Sequence, residues 1–319
     1  VRYRGVGGGE EEDAVLRAAV ADGNIERVRH CLLAGANVNA ANKFGCGSLH
    51  IAALKGQAEV CKVLIGARAN IHAKSPEGWT ALCASAGNNS VDVSQVLIAG
   101  GADIHATTPE GYTPLHIAAD RGHVEVGLLL LDKGAELHGK THAGYTALHI
   151  AASSGHAEAA RALIRAGHNI EAGNPENRTP LHISAHKGHI AVSRMMIAEG
   201  ANVNALDRDT CTPLHMSVLR AHVKLSQILI RLGADIHATT PEKRTPLHIA
   251  AHKGHVAVSE MLLGMGADVD YPDEERCTPL HTACLRGFVE VCEVLIRAKA
   301  DINAKTIQAA HADHDHPDP

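Results

Sequence analysis

The 319-residue chain is 45% hydrophobic and 20% charged, only 2% aromatic, and carries a formal net charge of −5. Acidic and basic residues are balanced in both halves, which argues against nucleic acid as the main partner, and no apolar run approaches the ~20 residues needed to span a bilayer. So few aromatic side chains also argue against one large central core and favour thin layers of closely packed helices.

At the N-terminus, Gly5-Val6-Gly7-Gly8-Gly9 has the glycine content of a phosphate loop, but Glu10-Glu11-Glu12-Asp13 behind it would repel phosphate. Residues 1–8 therefore read as a flexible segment. The opening Val-Arg-Tyr-Arg is no secretory leader, and the missing initiator methionine marks a processed chain or a piece of a longer one. From residue 9 onward the sequence is periodic. Leu49, Leu82, Leu115, Leu148, Leu181, Leu214, Leu247 and Leu280 each lie 33 residues after the one before, without insertion or deletion. One period earlier stands Leu16, in an opening copy that has Asp13-Ala14-Val15 where later copies have a turn, Thr and Pro.

Residues 108–140 show how one copy is built. Thr113 is an N-cap and Pro114 takes the first helical position, where its missing N–H is harmless. Gly122 stops this short helix, Val124 to Lys133 supply a second with apolar residues at helical spacing, and Gly134 ends it. Thr113, Thr146, Thr179, Thr212, Thr245 and Thr278 are each expected to start an inner helix. A layer of this kind cannot cover its own apolar face, so neighbours must stack and the terminal copies must differ.

The period and the signature Thr-Pro-Leu-His-Ile-Ala-Ala resemble the ankyrin repeat family. The resemblance implies an all-α fold, an ankyrin-repeat solenoid of stacked helix-turn-helix layers with projecting hairpin loops. It covers nine repeats over residues 9–305, with 9–41 as N-terminal cap and 306–319 as a His/Asp-rich tail. It further implies partner contacts at the hairpin tips and inner helices, which line a concave groove; in the reference copy these are residues 109, 110, 112, 120, 121 and 140. The signature histidines His50, His116, His149, His182, His215, His248 and His281 are implied to hydrogen-bond within their own turns.

Taken along the chain, the two layers after the cap depart most from the pattern. The first has Gly47-Ser48 for Thr-Pro; the second has Ala81 for proline, Cys83 for histidine and Gly87-Asn88-Asn89-Ser90 for the usual x-x-Gly-His. A softer interface or hinge is expected there. One contact column then runs Cys46, Trp79, Tyr112, Tyr145, Arg178, Cys211, Arg244, Cys277. Trp79, Tyr112 and Tyr145 are consecutive in it, and such rings give binding energy at low entropic cost; the alternative is that they shield the next hairpin. The inner helices end in Lys55, Asn88, Arg121 and Ser154 in the first half, then His186-Lys187, Leu219-Arg220, His252-Lys253 and Leu285-Arg286. Cations in a last turn complement the helix dipole at ~0.3–1 kcal/mol each, but that leaves Arg178 and Arg244 unexplained. Residues 174–239 and 240–305 also form a 66-residue double repeat, which either presents similar sub-sites two layers apart or records a duplication.

Nothing in the pattern points to chemistry. No nucleophile-elbow, Walker, kinase or His-Glu-x-x-His signature occurs. His182/His186 and His248/His252 have zinc-helix spacing, but Ile183 and Ile249 stand where the glutamate belongs, and rungs a layer apart cannot share an ion that needs ligands within ~2.1 Å. His311, His314 and His316 lie in a solvated tail with no frame to hold a metal. No enzyme activity, cofactor or metal is expected. Eight cysteines without a Cys-x-x-Cys pair read as thiols of a reducing, cytoplasmic or similar intracellular compartment. The sequence thus reads as a non-enzymatic protein-binding module or scaffold with an aromatic stretch and a cationic stretch. The cations suit an extended acidic segment of a protein partner, with no nucleic acid and no membrane insertion. The alternatives are a targeting or regulatory region of a larger enzyme or channel, and a structural subunit of a large assembly.

Overall fold

The computed structural model describes residues 8–307, and each regular element among them is an α-helix. Two compact units meet in sequence at His168 and Asn169. The first contains five helix pairs: α1 (Gly8–Ala21) and α2 (Ile25–Ala34), α3 (Ser48–Leu54) and α4 (Ala58–Gly66), α5 (Ala81–Gly87) and α6 (Val91–Ala99), α7 (Pro114–Arg121) and α8 (Val124–Asp132), α9 (Ala147–Ser154) and α10 (Ala157–Arg165). The second contains four: α11 (Pro180–Lys187) and α12 (Ile190–Ala198), α13 (Pro213–Leu219) and α14 (Val223–Arg231), α15 (Pro246–Lys253) and α16 (Val256–Gly264), α17 (Pro279–Arg286) and α18 (Val289–Arg297). Within each unit an inner helix packs on its own outer helix and on the inner helix of the next layer.

The inner helices start where the sequence places them. Thr113, Thr146, Thr179, Thr212, Thr245 and Thr278 are all N-caps in extended conformation, and the histidine three residues on completes a capping box. In α7 the Thr113 N–H donates to His116 Nδ1 at 3.3 Å, while Thr113 Oγ1 lies 2.8 Å from the same atom. Because Nδ1 accepts, the proton sits on Nε2, which donates to the Tyr145 and Gly139 carbonyls of the following hairpin, both at 3.2 Å. One imidazole therefore closes a helix start and ties its layer to the next. Gly122 ends α7 at φ 73, a left-handed conformation in which glycine escapes the Cβ penalty.

Each anchor leucine from Leu16 to Leu280 is 8% exposed or less. In the second unit Leu214, Leu247 and Leu280 of the inner helices form one core with Leu225, Leu229, Val258, Leu262, Val291 and Leu295 of the outer ones. At ~1.5–3 kcal/mol per buried aliphatic side chain, this shared interior holds the layers together. The hairpins stack as well, through bonds such as His142 N–H to Glu110 O at 3.1 Å and Arg208 N–H to Glu176 O at 2.8 Å.

Two expectations need adjusting. α1 already runs from Gly8, so Gly8 is helical rather than part of the flexible segment. The irregular layers are weakened in one place and mended in another. Gly47 offers no side chain to cap α3, and the buried Ser48 Oγ and His50 Nδ1 have no partner. In the next layer Asn88 Nδ2 donates to the Leu54 carbonyl at 3.0 Å. That bond across layers resembles the one from His123 Nε2 to the Gly87 carbonyl at 3.2 Å, so Asn88 replaces part of what the missing histidine supplied. The C-terminal histidines His311, His314 and His316 lie outside the described residues.

Candidate protein-interaction site

The first unit carries the three rings. Each closes a hairpin just before a capping threonine, and backbone bonds fix it there: the Trp79 carbonyl accepts from Ser75 N–H at 2.8 Å and from His50 Nε2 at 2.9 Å. All three are half-buried. Tyr112 sets its edge on His116 at 6.0 Å, and Tyr145 sits perpendicular to His149 at 5.7 Å. The Trp79 indole lies over Gly87, where a Cβ would come within 3.2 Å of Cζ3. One side of each ring is therefore structural. The polar tips remain available: among the described residues neither tyrosine hydroxyl nor the indole N–H has a protein partner. Burial, then Asp120 and Glu110, push the Tyr112 phenol above its ordinary value, so it stays a neutral donor.

The second unit carries the cations, and the structure sorts them into two kinds. Arg178 Nε reaches Asp207 Oδ2 at 3.1 Å, and Arg244 Nε reaches Asp273 Oδ2 at 3.7 Å. Both aspartates start the following hairpin, and each also accepts the N–H groups two and four residues on, at 2.8–3.0 Å. This supplies what dipole compensation could not: the two arginines clamp the next layer's loop. It also gives the 66-residue alternation a bonding reason, since every second interface holds an Arg–Asp pair. Asp207 and Asp273 were missed because nothing in a single layer links them to an arginine 29 residues earlier.

Lys187, Arg220, Lys253 and Arg286 are the other kind. All four are exposed at or just past the ends of α11, α13, α15 and α17, and none has an acidic partner among the described residues. Their field is felt by the histidines between them. Burial, then Arg220, Lys187 and Arg178, hold His186 below its ordinary value; burial, then Arg286, Lys253 and Arg244, do the same to His252. Leu219 is half-buried and Leu285 is 80% exposed, so apolar surface adjoins the charge.

The histidine pairs do not offer metal ligands. His182 Nδ1 faces Thr179 Oγ1 at 2.9 Å and its Nε2 the Cys211 carbonyl at 2.9 Å, and His248 is engaged in the same way with Thr245 and Cys277. In His215 the Nε2 lies near the equivalent carbonyl, that of Arg244, without reaching hydrogen-bond geometry. No group of three His, Cys, Asp or Glu residues able to hold an ion occurs among the described residues.

A family profile described as "Ankyrin repeats (3 copies)" matches residues 16–108, 88–174, 148–240 and 225–306. The chain belongs to the ankyrin repeat family. Repeats of this family generally mediate protein–protein interaction, and they are typically non-enzymatic. Similarity also extends to the Notch-regulated ankyrin repeat-containing protein A of Danio rerio, 39% identical over 57 residues, 18% of this chain and 51% of the relative. The Notch-regulated ankyrin repeat-containing proteins of Homo sapiens and Mus musculus match at 39% over 57 residues, again 18% of this chain and 50% of each relative. The match thus spans about half the length of these relatives. No helix among the described ankyrin repeats is long and apolar enough to cross a membrane.

Proposed function

We propose that the second unit binds an extended acidic segment of a protein partner along the ends of its inner helices, and that Trp79, Tyr112 and Tyr145 form a separate contact surface on the first. The observation that carries this reading is the lack of acidic partners for Lys187, Arg220, Lys253 and Arg286 among the described residues. Helix layers pack ~8–10 Å apart, close to the ~8 Å screening length at physiological ionic strength. Charges so spaced act on one extended anion together, as steering more than as bonds, because an exposed pair is worth only ~0–1 kcal/mol. Specificity then falls to the adjoining apolar residues Leu219 and Leu285 and to the rings. The protein acts by holding partners, without cofactor or chemistry.

The test uses a fluorescent peptide rich in Glu and Asp, and then the native partner recovered by affinity pull-down and mass spectrometry. Lys187→Glu, Arg220→Glu and Lys253→Glu together should slow association and flatten its salt dependence. Tyr112→Ala should leave folding nearly intact while weakening the native complex by ~1–3 kcal/mol, as for a hot-spot ring. Unchanged association after the triple reversal would remove the cationic face from the binding surface, and unchanged affinity after Tyr112→Ala would make the rings purely structural.

A further inference from the structure

Two of the eight cysteines meet. Cys284 lies in the second half of α17 and Cys292 in the first half of α18, with their Sγ atoms 3.4 Å apart and both thiols free. The repeat register explains the approach. Cys292 stands in the outer-helix column that holds Ser94, Ser193 and Ser226 in other layers, small side chains at the place where the two helices of a layer cross closely. There Ser94 bonds Ser85 at 2.9 Å, Ser193 bonds Ser184 at 2.9 Å and Ser226 bonds Ser217 at 2.7 Å. The inner-helix serines of these pairs share their column with Ala283; Cys284 stands one residue further on, where the other layers have alanine or valine. Cys61 shares the outer column, but Ala53 stands where Cys284 does in the last described layer, and Cys61 is fully buried with its thiol pushed up to about 12 by burial. The α17–α18 crossing is thus the place among the described layers where both columns carry sulfur.

We propose that Cys284 and Cys292 are a modification site at which a small-molecule disulfide, such as oxidised glutathione, closes a bond between α17 and α18. Cys284 is exposed and reacts first. Its thiolate attacks one sulfur of the reagent, forming a mixed disulfide and releasing a glutathione thiolate that takes up the proton Cys284 gave to solvent. The Cys292 thiol then loses its proton to solvent and attacks Cys284 Sγ, displacing the second glutathione. Two protein thiols are oxidised, one glutathione disulfide is reduced, and two glutathione molecules leave. The sulfurs move from 3.4 Å to the ~2.05 Å of a disulfide. Burial and the hydrogen bond with Cys284 push the Cys292 thiol up to about 11, so the closing step should quicken as pH rises. The bond would fix the last helix pair beside exposed Leu285 and Val289, where the cationic face ends at Arg286.

The experiment equilibrates the full chain in glutathione buffers of rising oxidised-to-reduced ratio, blocks remaining thiols by alkylation, and maps peptides after trypsin. Cleavage after Arg286 places the two sulfurs on separate peptides, 277–286 and 287–297, so the bond appears as a cross-link assigned by fragment ions. The expected result is a 284–292 cross-link at a concentration of oxidised glutathione at least ten-fold below that needed to glutathionylate Cys284 in Cys292→Ser. That variant keeps the residue type of Ser259 and its column-mates and should fold normally. A mixed disulfide on Cys284 with Cys292 still alkylated at every ratio would overturn the proposal. So would a cross-link that forms as readily in urea-unfolded chain as in the native protein.

Discussion

Replacing Arg178 by Gln separates a clamp from a binding residue. Asp207 is nearly enclosed, its side chain 1% exposed, with Oδ1 taking the N–H groups of Asp209 at 3.0 Å and Cys211 at 2.9 Å and Oδ2 facing Arg178 Nε at 3.1 Å. Without the guanidinium, Oδ2 loses its cationic partner in a nearly enclosed site. Severing a fully buried pair costs ~3–5 kcal/mol, and a hydrogen bond to a charged group contributes ~1.5–3 kcal/mol. Arg178 is itself 35% exposed, so water makes up part of the loss, and about 2 kcal/mol is the expected cost. Arg244 is 49% exposed and its contact with Asp273 is 3.7 Å, so Arg244→Gln should cost less than ~1 kcal/mol. Amide hydrogen exchange reads this locally, which suits an array whose layers need not unfold as one. Exchange at Asp209 and Cys211 should quicken about 30-fold in Arg178→Gln, and at Glu275 and Cys277 only a few-fold in Arg244→Gln. Equal effects at the two sites, or none at Cys211, would refute the clamp and return both arginines to the binding surface.

Acid should weaken the array through its buried histidines. Burial lowers the pKa of His215 from 6.5 to about 4, and lowers those of His116, His182 and His248 in the same direction. The unfolded chain therefore takes up protons first; stability is full above pH 6.5 and falls as pH drops toward 4, by on the order of 3 kcal/mol for His215 alone. A urea midpoint that stays constant between pH 7.5 and 5, before carboxylates titrate, would contradict this. Gly127→Ala should stabilise the first unit by about 1 kcal/mol, since alanine is the better helix former inside α8. The new Cβ would sit 4.0 Å from Leu115 Cδ1, beside an apolar recess of about 20 Å³. A lower urea midpoint would show that the recess cannot take the methyl group. Amides of residues 83–92 should exchange faster than those of 248–257, because Cys83 has no ring nitrogen to bridge layers and the layer before it holds unpaired Ser48 Oγ and His50 Nδ1. Equal protection would mean that the Asn88 bond to Leu54 restores the interface in full.

Most of the fold was legible in the sequence because its causes lie within one period. A threonine cap, a proline at the first helical position, a left-handed glycine and an apolar stripe each act over a few residues, and a fixed spacing repeats these positions, with substitutions, from layer to layer. The site was only half legible, because its decisive bonds join residues 29 apart in neighbouring layers. Arg178 and Lys187 both read as groove cations of one layer, and only the hairpin aspartate folded beside Arg178 sets them apart. The half-burial of Trp79, Tyr112 and Tyr145 was hidden for a different reason. What encloses those rings is the inner-helix turn that follows, and the sequence does not show how closely a ring folds back onto it.

The sorting of cations bears on how binding would be achieved. A partner carboxylate that approached Arg178 would have to compete with Asp207, a buried carboxylate that already faces its Nε and is held by two backbone N–H groups. That competition subtracts from any affinity gained there. Lys187, Arg220, Lys253 and Arg286 have no such competitor among the described residues, so an approaching anion meets their full field and displaces only water and salt ions. Their contribution should therefore fall chiefly on association rate and vanish with rising salt, whereas Arg178 and Arg244 should influence binding only through the hairpins they hold in place.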